Sequence, residues 1–215
     1  MSDGAGSTKE RILDAAERLF GEHGVGATSL RSVIGEAGVN LAAVHYHFGS
    51  KDGLVEAVVK RRVDPINQER LAMLAELEKE AGAGPIPIES LVRAFVLPWV
   101  RPDTQGKAGG AMRRLLGRLL NEPDFFQRIA PRQFAGVRQR FLKAFQLALP
   151  QLDADEIFWR LMFSIGVISH TLMVAPSIKA LSGGACKEIT AELMLDRVIS
   201  FVTAGLLAPR TGGRK

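Results

Sequence analysis

Few residues in this chain have types and spacing that could do chemistry. The histidines are His23, His45, His47 and His170, and none shares a helical face with a second His, Cys or carboxylate at metal-ligand spacing. Cys186 is the single cysteine, so an intrachain disulfide and a multi-cysteine metal site are both excluded. Nothing beside it marks it as an activated thiol, and its solitude fits a reducing compartment. No Ser/His/Asp arrangement, phosphate-cradling glycine loop or paired-carboxylate motif stands out. The expectation is therefore no catalytic residue, no metal, no cofactor and no enzymatic activity. A carrier or enzyme working through an apolar C-terminal pocket is the alternative from another class, but no convergent acid, base or nucleophile supports it.

The informative stretch is Thr28 to Lys51. It reads as a short helix, a glycine turn and a second short helix, the parts of a helix-turn-helix that lays its second helix in the major groove. Thr28 is expected to cap the first helix, with Leu30, Val33, Ile34 and Ala37 inward. Gly38 lets the chain turn sharply, and Val39 plugs the gap between the helices. Asn40 caps the reading helix, which runs from Leu41 to Phe48. Leu41, Ala42 and Ala43 at its leading end are small or apolar; they permit close approach and can touch thymine methyls. An ordinary packed helix pair has the same outline, so the pattern alone leaves both readings open.

The elements that position this stretch are helical throughout. The chain has 215 residues, 47% hydrophobic and 24% charged, enough for one large domain or a small one joined to a medium one. Ser7 and Glu10 predict a capping box opening a helix with Ile12, Leu13, Ala16, Leu19 and Phe20 on one face, ended by Gly24. Gly49 breaks the reading helix, and Ser50 caps a fourth that starts at Lys51. That helix is expected to reach about Arg62, with a bend or break at Pro65 and helical pattern resuming through Ala81. Further helices are predicted at 88–101, 108–121, 124–149 (kinked or split at Pro131), 153–175 and 187–207. The polar N-terminus, MSDGAGSTKE, reads as lacking a secretory signal. Ile157 to Ala175 is apolar enough to raise the membrane question, but it carries Arg160, Ser164, Gly166, Ser169 and His170, so a buried core helix is expected and no membrane partner.

Net charge is +5 and the pI about 9.7, which suggests an anionic partner. Yet residues 1–62 hold eight basic and eight acidic side chains, while the excess sits at 104–149, nine basic against Glu122 and Asp124. A nucleic-acid role for the N-terminus must rest on motif and local geometry. Arg114 and Arg118, four apart with Arg113 and Lys107 nearby, read either as a solvated basic face or as an anion site.

The N-terminal quarter resembles the TetR family of bacterial transcriptional regulators. The residues that carry the resemblance are Ile12 to Ala16, Leu19-Phe20, Gly24, Thr28-Ser29-Leu30-Arg31, Ala37-Gly38-Val39, Val44-His45-Tyr46-His47-Phe48-Gly49-Ser50-Lys51 and Leu54. They cover about residues 8–60 in the family's order and spacing. The rest of the chain matches only in length and in being all-helical. Two departures are visible: Ile34-Gly35 inside the supporting helix, where glycine costs about 1 kcal/mol relative to alanine, and His45 where tyrosine is commoner. By position, the resemblance implies phosphate contacts for Thr28, Tyr46, His47 and Lys51, and base- or groove-facing roles for Arg31, Asn40, Leu41, Ala42, Ala43 and His45.

The implied fold is all-α, about nine helices: a helix-turn-helix DNA-binding domain at 7–67, a helical ligand-binding and dimerisation domain at 68–209, and flexible ends at 1–6 and 210–215. The implied function is a cytoplasmic, homodimeric repressor that binds a palindromic double-stranded operator and is released by a small apolar or amphipathic effector; an activator of the same fold is the alternative. Effector-site candidates are Trp99, Phe141, Phe145, Met162 and Phe163, since aromatics line helical ligand sites, with Arg114 and Arg118 for an anionic group. Leu115 to Pro123 and the reading helix resemble a subgroup that includes regulators of fatty-acid metabolism, which points to a fatty acid or acyl-coenzyme A. The last two helices are broadly apolar and read as a dimer interface through Phe163, Val167, His170, Val174, Leu193, Val198 and Phe201.

Overall fold

The first helix, α1 (Thr8–His23), begins where the Ser7 hydroxyl accepts the Glu10 N–H at 3.2 Å. The Glu10 carboxylate is taken by Arg61 at 3.1 Å, so the cap rests on the serine half of the expected box. Gly24 ends the helix at φ 85°, a conformation that suits glycine. Then follow α2 (Leu30–Ala37), α3 (Leu41–Phe48), α4 (Lys51–Ala81) and α5 (Ile88–Val100). A π-helical turn, Phe125–Ile129, leads into the short α6 (Ala130–Gln133). The remaining helices are α7 (Ala135–Ala148), α8 (Ala154–Val174), the short α9 (Ile178–Leu181) and α10 (Ala191–Leu207). The computed structural model describes residues 7–100, 125–187 and 189–210; among these no strand occurs. The helix expected at 108–121 lies outside the described residues.

Several expectations are corrected. Pro65 neither ends nor divides α4, which is continuous over 31 residues. A proline removes one N–H and crowds the preceding turn, at about 3 kcal/mol; Pro65 is exposed, and burial of Val58, Val59, Val63 and Leu74 on the same helix offsets that cost. The 124–149 segment divides at Phe134, after Pro131, and the last helix starts at Ala191, with Thr190 accepting the Leu193 N–H. The expected capping of α2 by Thr28 falls to Ser29, whose hydroxyl accepts the Ser32 N–H at 3.0 Å.

Two compact units divide at Pro65/Ile66 and again at Gln133/Phe134. The N-terminal unit packs α1, α2 and α3 around Ile12, Ala16, Phe20, Val33, Val44 and Leu54, all fully buried. Residues 125–133, expected in the C-terminal domain, belong to this unit. Arg128 pairs with Asp52, and the Gln133 amide donates to Asp64 at 2.5 Å. In the C-terminal unit, α5 and α8 pack on α10, and α7 packs on both α5 and α8. Its core includes Leu91, Phe95, Phe141, Phe145, Ile157, Leu161, Val202 and Leu206.

Within the chain α8 is buried on one side. Its inward residues are Ile157, Arg160, Leu161, Ser164 and Ile168; Phe158, Trp159, Phe163 and Met173 are exposed. By length and composition alone this helix could cross a membrane. Arg160, on the inward side of this helix, is answered within the unit. Its guanidinium takes Glu156 at 2.8 Å and donates to the Leu206 and Ala208 carbonyls at 2.8 and 2.7 Å. These are orphan acceptors at the C-terminus of α10, so a cation suits them.

Candidate nucleic-acid interface and effector domain

The turn between α2 and α3 is built from local chemistry. Gly38 adopts the left-handed conformation, φ 61° and ψ 42°, and both Gly38 and Val39 donate to the Ile34 carbonyl. Asn40 then accepts the Ala43 N–H at 2.9 Å and starts α3. Val44 anchors α3 to the core, while Leu41, Ala42, His45 and Tyr46 are exposed and Ala43 and His47 half-buried. Tyr46 stands out with 86% exposure. Its ring meets His47 edge to face at 5.0 Å.

The sequence-derived contact residues do not all survive as such. Thr28 is 3% exposed and its hydroxyl donates to the Gly24 and Leu19 carbonyls at 2.8 and 3.3 Å. Its side chain ties the α1–α2 turn together and is not available to a phosphate. Asn40 and His45 each use one polar atom within the motif: the Asn40 oxygen caps α3, and His45 Nδ1 bonds the Gly49 carbonyl at 2.9 Å. Arg31, Leu41, Ala42, Tyr46 and His47 keep accessible side chains, as does the half-buried Lys51 in the first turn of α4. Among the described residues neither Arg31 nor Lys51 has an ion-pair partner.

Gly53 is a positional residue that the sequence reading missed. A Cβ there would lie 2.1 Å from the Phe48 carbonyl oxygen. Only glycine lets the first turn of α4 close against the end of α3, where Ser50 accepts the Gly53 N–H at 3.1 Å. Its signal was a poor helix former in a first turn.

The acids of α1 and α2 are occupied inside the unit. Arg61 meets Glu10 at 3.1 Å, Asp14 at 2.7 Å and the buried Glu17 at 2.5 Å. Arg62 also pairs with Glu17, at 2.8 Å. Burial pulls the Arg61 pKa down, but the hydrogen bonds and charges of Glu17 and Asp14 outweigh it and hold it above the usual arginine value. Arg18 pairs with Glu22 and Glu36. The zero net charge of this segment thus conceals carboxylates held against arginines, leaving basic groups near α3 unopposed.

A family model described as bacterial regulatory proteins, tetR family, matches residues 12–58. One described as tetracyclin repressor-like, C-terminal domain, matches residues 93–205. The chain belongs to the TetR family. Its members are transcriptional regulators rather than enzymes. Among relatives, the HTH-type transcriptional dual regulator CecR of Shigella flexneri is 36% identical over 89 residues, 41% of this chain and 39% of that protein. The HTH-type transcriptional repressor Rv3405c of Mycobacterium tuberculosis is 44% identical over 59 residues, 27% of this chain and 31% of that protein. These matches span two fifths or less of the relatives' length. A transcriptional regulator from Aquifex aeolicus VF5 covers 91% of this chain and 98% of its own at TM-score 0.57 and 19% identity, a likeness of fold.

In the C-terminal unit of this TetR chain, Phe141 and Phe145 are fully buried, Trp99 and Met162 half-buried. Phe95 and Phe141 meet edge to face at 5.3 Å, Phe141 lies 6.4 Å from Phe145, and Trp99 lies 6.4 Å from Phe134. Phe163 does not join them: it is 64% exposed and stacks beside Trp159 at 5.9 Å. Arg114 and Arg118 lie outside the described residues. Of the expected interface residues, Phe163, His170, Leu193 and Phe201 are exposed and Val167 and Val174 half-buried, while Val198 packs into the core.

Proposed function

We propose that this chain is a cytoplasmic repressor that binds a palindromic operator as a homodimer and is released by a small apolar or amphipathic effector. The observation that carries the reading is α3. It is capped at both ends, held by Val44, and turns Leu41, Ala42 and Tyr46 to solvent. Residues 7–65 act as the DNA-binding part and 66–100 with 134–210 as the effector and dimer part. Arg31, Leu41, Ala42, Ala43 and the free edges of Asn40 and His45 read the groove; Tyr46, His47 and Lys51 hold phosphates. Lys51 adds its charge to the positive N-terminus of α4.

Dimerisation through α8 and α10 accounts for their exposed side chains Phe163, His170, Leu193 and Phe201 and the half-buried Val167 and Val174. An apolar surface this broad on a water-soluble chain marks an interaction site. Two copies place two α3 helices on half-sites separated by whole helical turns of DNA. An effector held in the C-terminal unit favours a conformation in which that spacing is wrong. A fatty acid or acyl-coenzyme A effector rests on the resemblance of residues 115–123, not on geometry. One relative is named a repressor and another a dual regulator, so operator position decides the sign of regulation.

The test is a gel shift and footprint with the DNA upstream of the chain's own gene at physiological salt. A protected palindrome, bound by a dimer in excess of unlabelled random DNA, is expected. Binding no tighter than to random DNA overturns the reading.

A further inference from the structure

Two arginines of the described residues are buried, and they differ in what answers them. Arg160 has Glu156 and the carbonyls at the end of α10. Arg70, on α4, is 3% exposed, and its Nε–H donates to the Phe95 carbonyl at 2.8 Å. Its guanidinium carbon lies 4.1 Å from the centre of the Phe95 ring and 5.1 Å from that of Trp99. Among the described residues no carboxylate pairs with it, and no acceptor takes the N–H groups of its two outer nitrogens.

This arrangement is costly as pure architecture. The guanidinium has five N–H donors, and one carbonyl answers one of them. The aromatic faces supply some cation–π attraction, but a desolvated cation needs a counter-charge to offset its lost hydration. Burial alone pulls the Arg70 pKa down to about 9, with no opposing charge to restore it. The bland reading is a strut: α5 carries Pro98, whose missing N–H interrupts the helix's hydrogen-bond ladder close to Phe95. A strut for one carbonyl, however, needs no cation and leaves the outer nitrogens without a role.

We infer that Arg70 anchors the acidic group of the effector, and that the effector is a carboxylate on an apolar body. With Nε engaged by Phe95, the two outer nitrogens remain as an end-on fork, which matches the two oxygens of a carboxylate. Trp99, Phe134 and Phe141 supply the apolar surface for the body, whether ring or chain. The inference rests on the regulator reading for the word effector, but the chemistry of the site stands apart from it.

The experiment is calorimetry of the full-length protein with 1-naphthoate, 4-phenylbutyrate and decanoate, each beside its primary amide. The wild type should bind at least one acid about tenfold or more tighter than its amide, a difference of about 1.4 kcal/mol. Arg70→Gln should lose that preference by weakening the acid and sparing the amide, whereas Arg70→Lys, which keeps the charge, should retain part of it. A strut would change melting in both variants without touching acid–amide selectivity. The inference is overturned if the wild type binds none of the acids up to about 1 mM, if it takes amides as well as acids, or if Arg70→Gln keeps the preference. Operator binding is measured on the same samples. A wild type that binds no operator defeats the regulator reading while its acid preference is decided by the calorimetry; operator binding without acid preference defeats this inference alone.

Discussion

In the N-terminal unit, buried charge is answered within the chain. Glu17 is buried and takes both Arg61 and Arg62, and Arg61 also holds Glu10 and Asp14. In the C-terminal unit, Arg70 meets a carbonyl and two aromatic rings, and Phe163 and Phe201 lie open to water. The same residue type, nine positions apart on α4, is closed in one place and open in the other. Closed pairs hold helices together; open charges and open apolar faces are where further molecules can act. In the first unit the open groups of the described residues include Leu41, Ala42 and Tyr46 on α3 and Lys51 at the start of α4. Among the described residues the second has an open charge inside, Arg70, and a broad apolar face outside.

The strongest way to break this contrast is at the apolar face. Phe201→Glu places a charge where 66% of the native ring is exposed in a single chain. A residue so exposed matters little to a monomer, so the fold by circular dichroism should be kept. Light scattering should show the dimer lost, and operator affinity should fall by about a hundredfold or more, because two half-sites no longer act together. An intact dimer would put the interface elsewhere.

The second break is at the closed charge. Glu17→Ala leaves Arg61 and Arg62 facing each other beside α1. A fully buried pair loses about 3–5 kcal/mol when one partner is removed; these arginines keep some solvent, so about 2–3 kcal/mol is expected. Thermal and urea melts measure it. Arg70→Gln should show the opposite sign or no loss, since it removes a buried cation that no carboxylate among the described residues answers. Equal destabilisation by the two would erase the distinction between closed and open sites.

Much of the first unit was legible because its turns are local. Gly24, Gly38 and Gly49 and the caps Ser7, Asn40 and Ser50 act within four residues of themselves. Thr28 was misread because Thr and Ser are both good caps and only packing decides which one is buried. Pro65 was misread because a proline rule knows nothing of the valines that hold the helix on either side. On α8 the sequence expected both a core helix and a dimer seam, because an apolar stripe has the same pattern whether its neighbour is in the same chain or another; only packing shows that Ile157, Leu161 and Ile168 face inward and Phe163 outward. Arg70 carried no signal: in a helix rich in charged residues, one more arginine reads as surface. Gly53 carried a faint signal, a poor helix former in a first turn, but its reason lies in the Phe48 carbonyl.

A smaller effect tests the open groups beside α3. Lys51→Ala should weaken binding to operator and random DNA alike and lower the salt slope by about one unit, one phosphate contact fewer. Loss confined to one base position would show that Lys51 reads sequence instead.

The smallest expected effect concerns a charge that is answered but exposed. Asp153 starts α8: its Oδ1 accepts the Glu156 N–H at 2.9 Å and its Oδ2 pairs with Arg210 at 2.7 Å. The Glu156 N–H first, and the Arg210 charge after it, hold the Asp153 pKa below the usual carboxylate value. A carboxylate with a depressed folded pKa binds fewer protons folded than unfolded, so stability rises with pH across that window. The contribution is fully present above the ordinary aspartate range and disappears as pH falls through the lower, folded value. Asp153→Asn keeps a capping oxygen but no charge, and Asp153→Ala keeps neither. Melting temperatures at neutral pH should therefore rank wild type, then Asn, then Ala. In acid the wild type should lose its lead over Asn, while the gap between Asn and Ala stays flat. A lead over Asn that does not change between neutral and acid pH would mean that the cap acts through its oxygen alone and that the ion pair with Arg210 adds nothing at this exposed site.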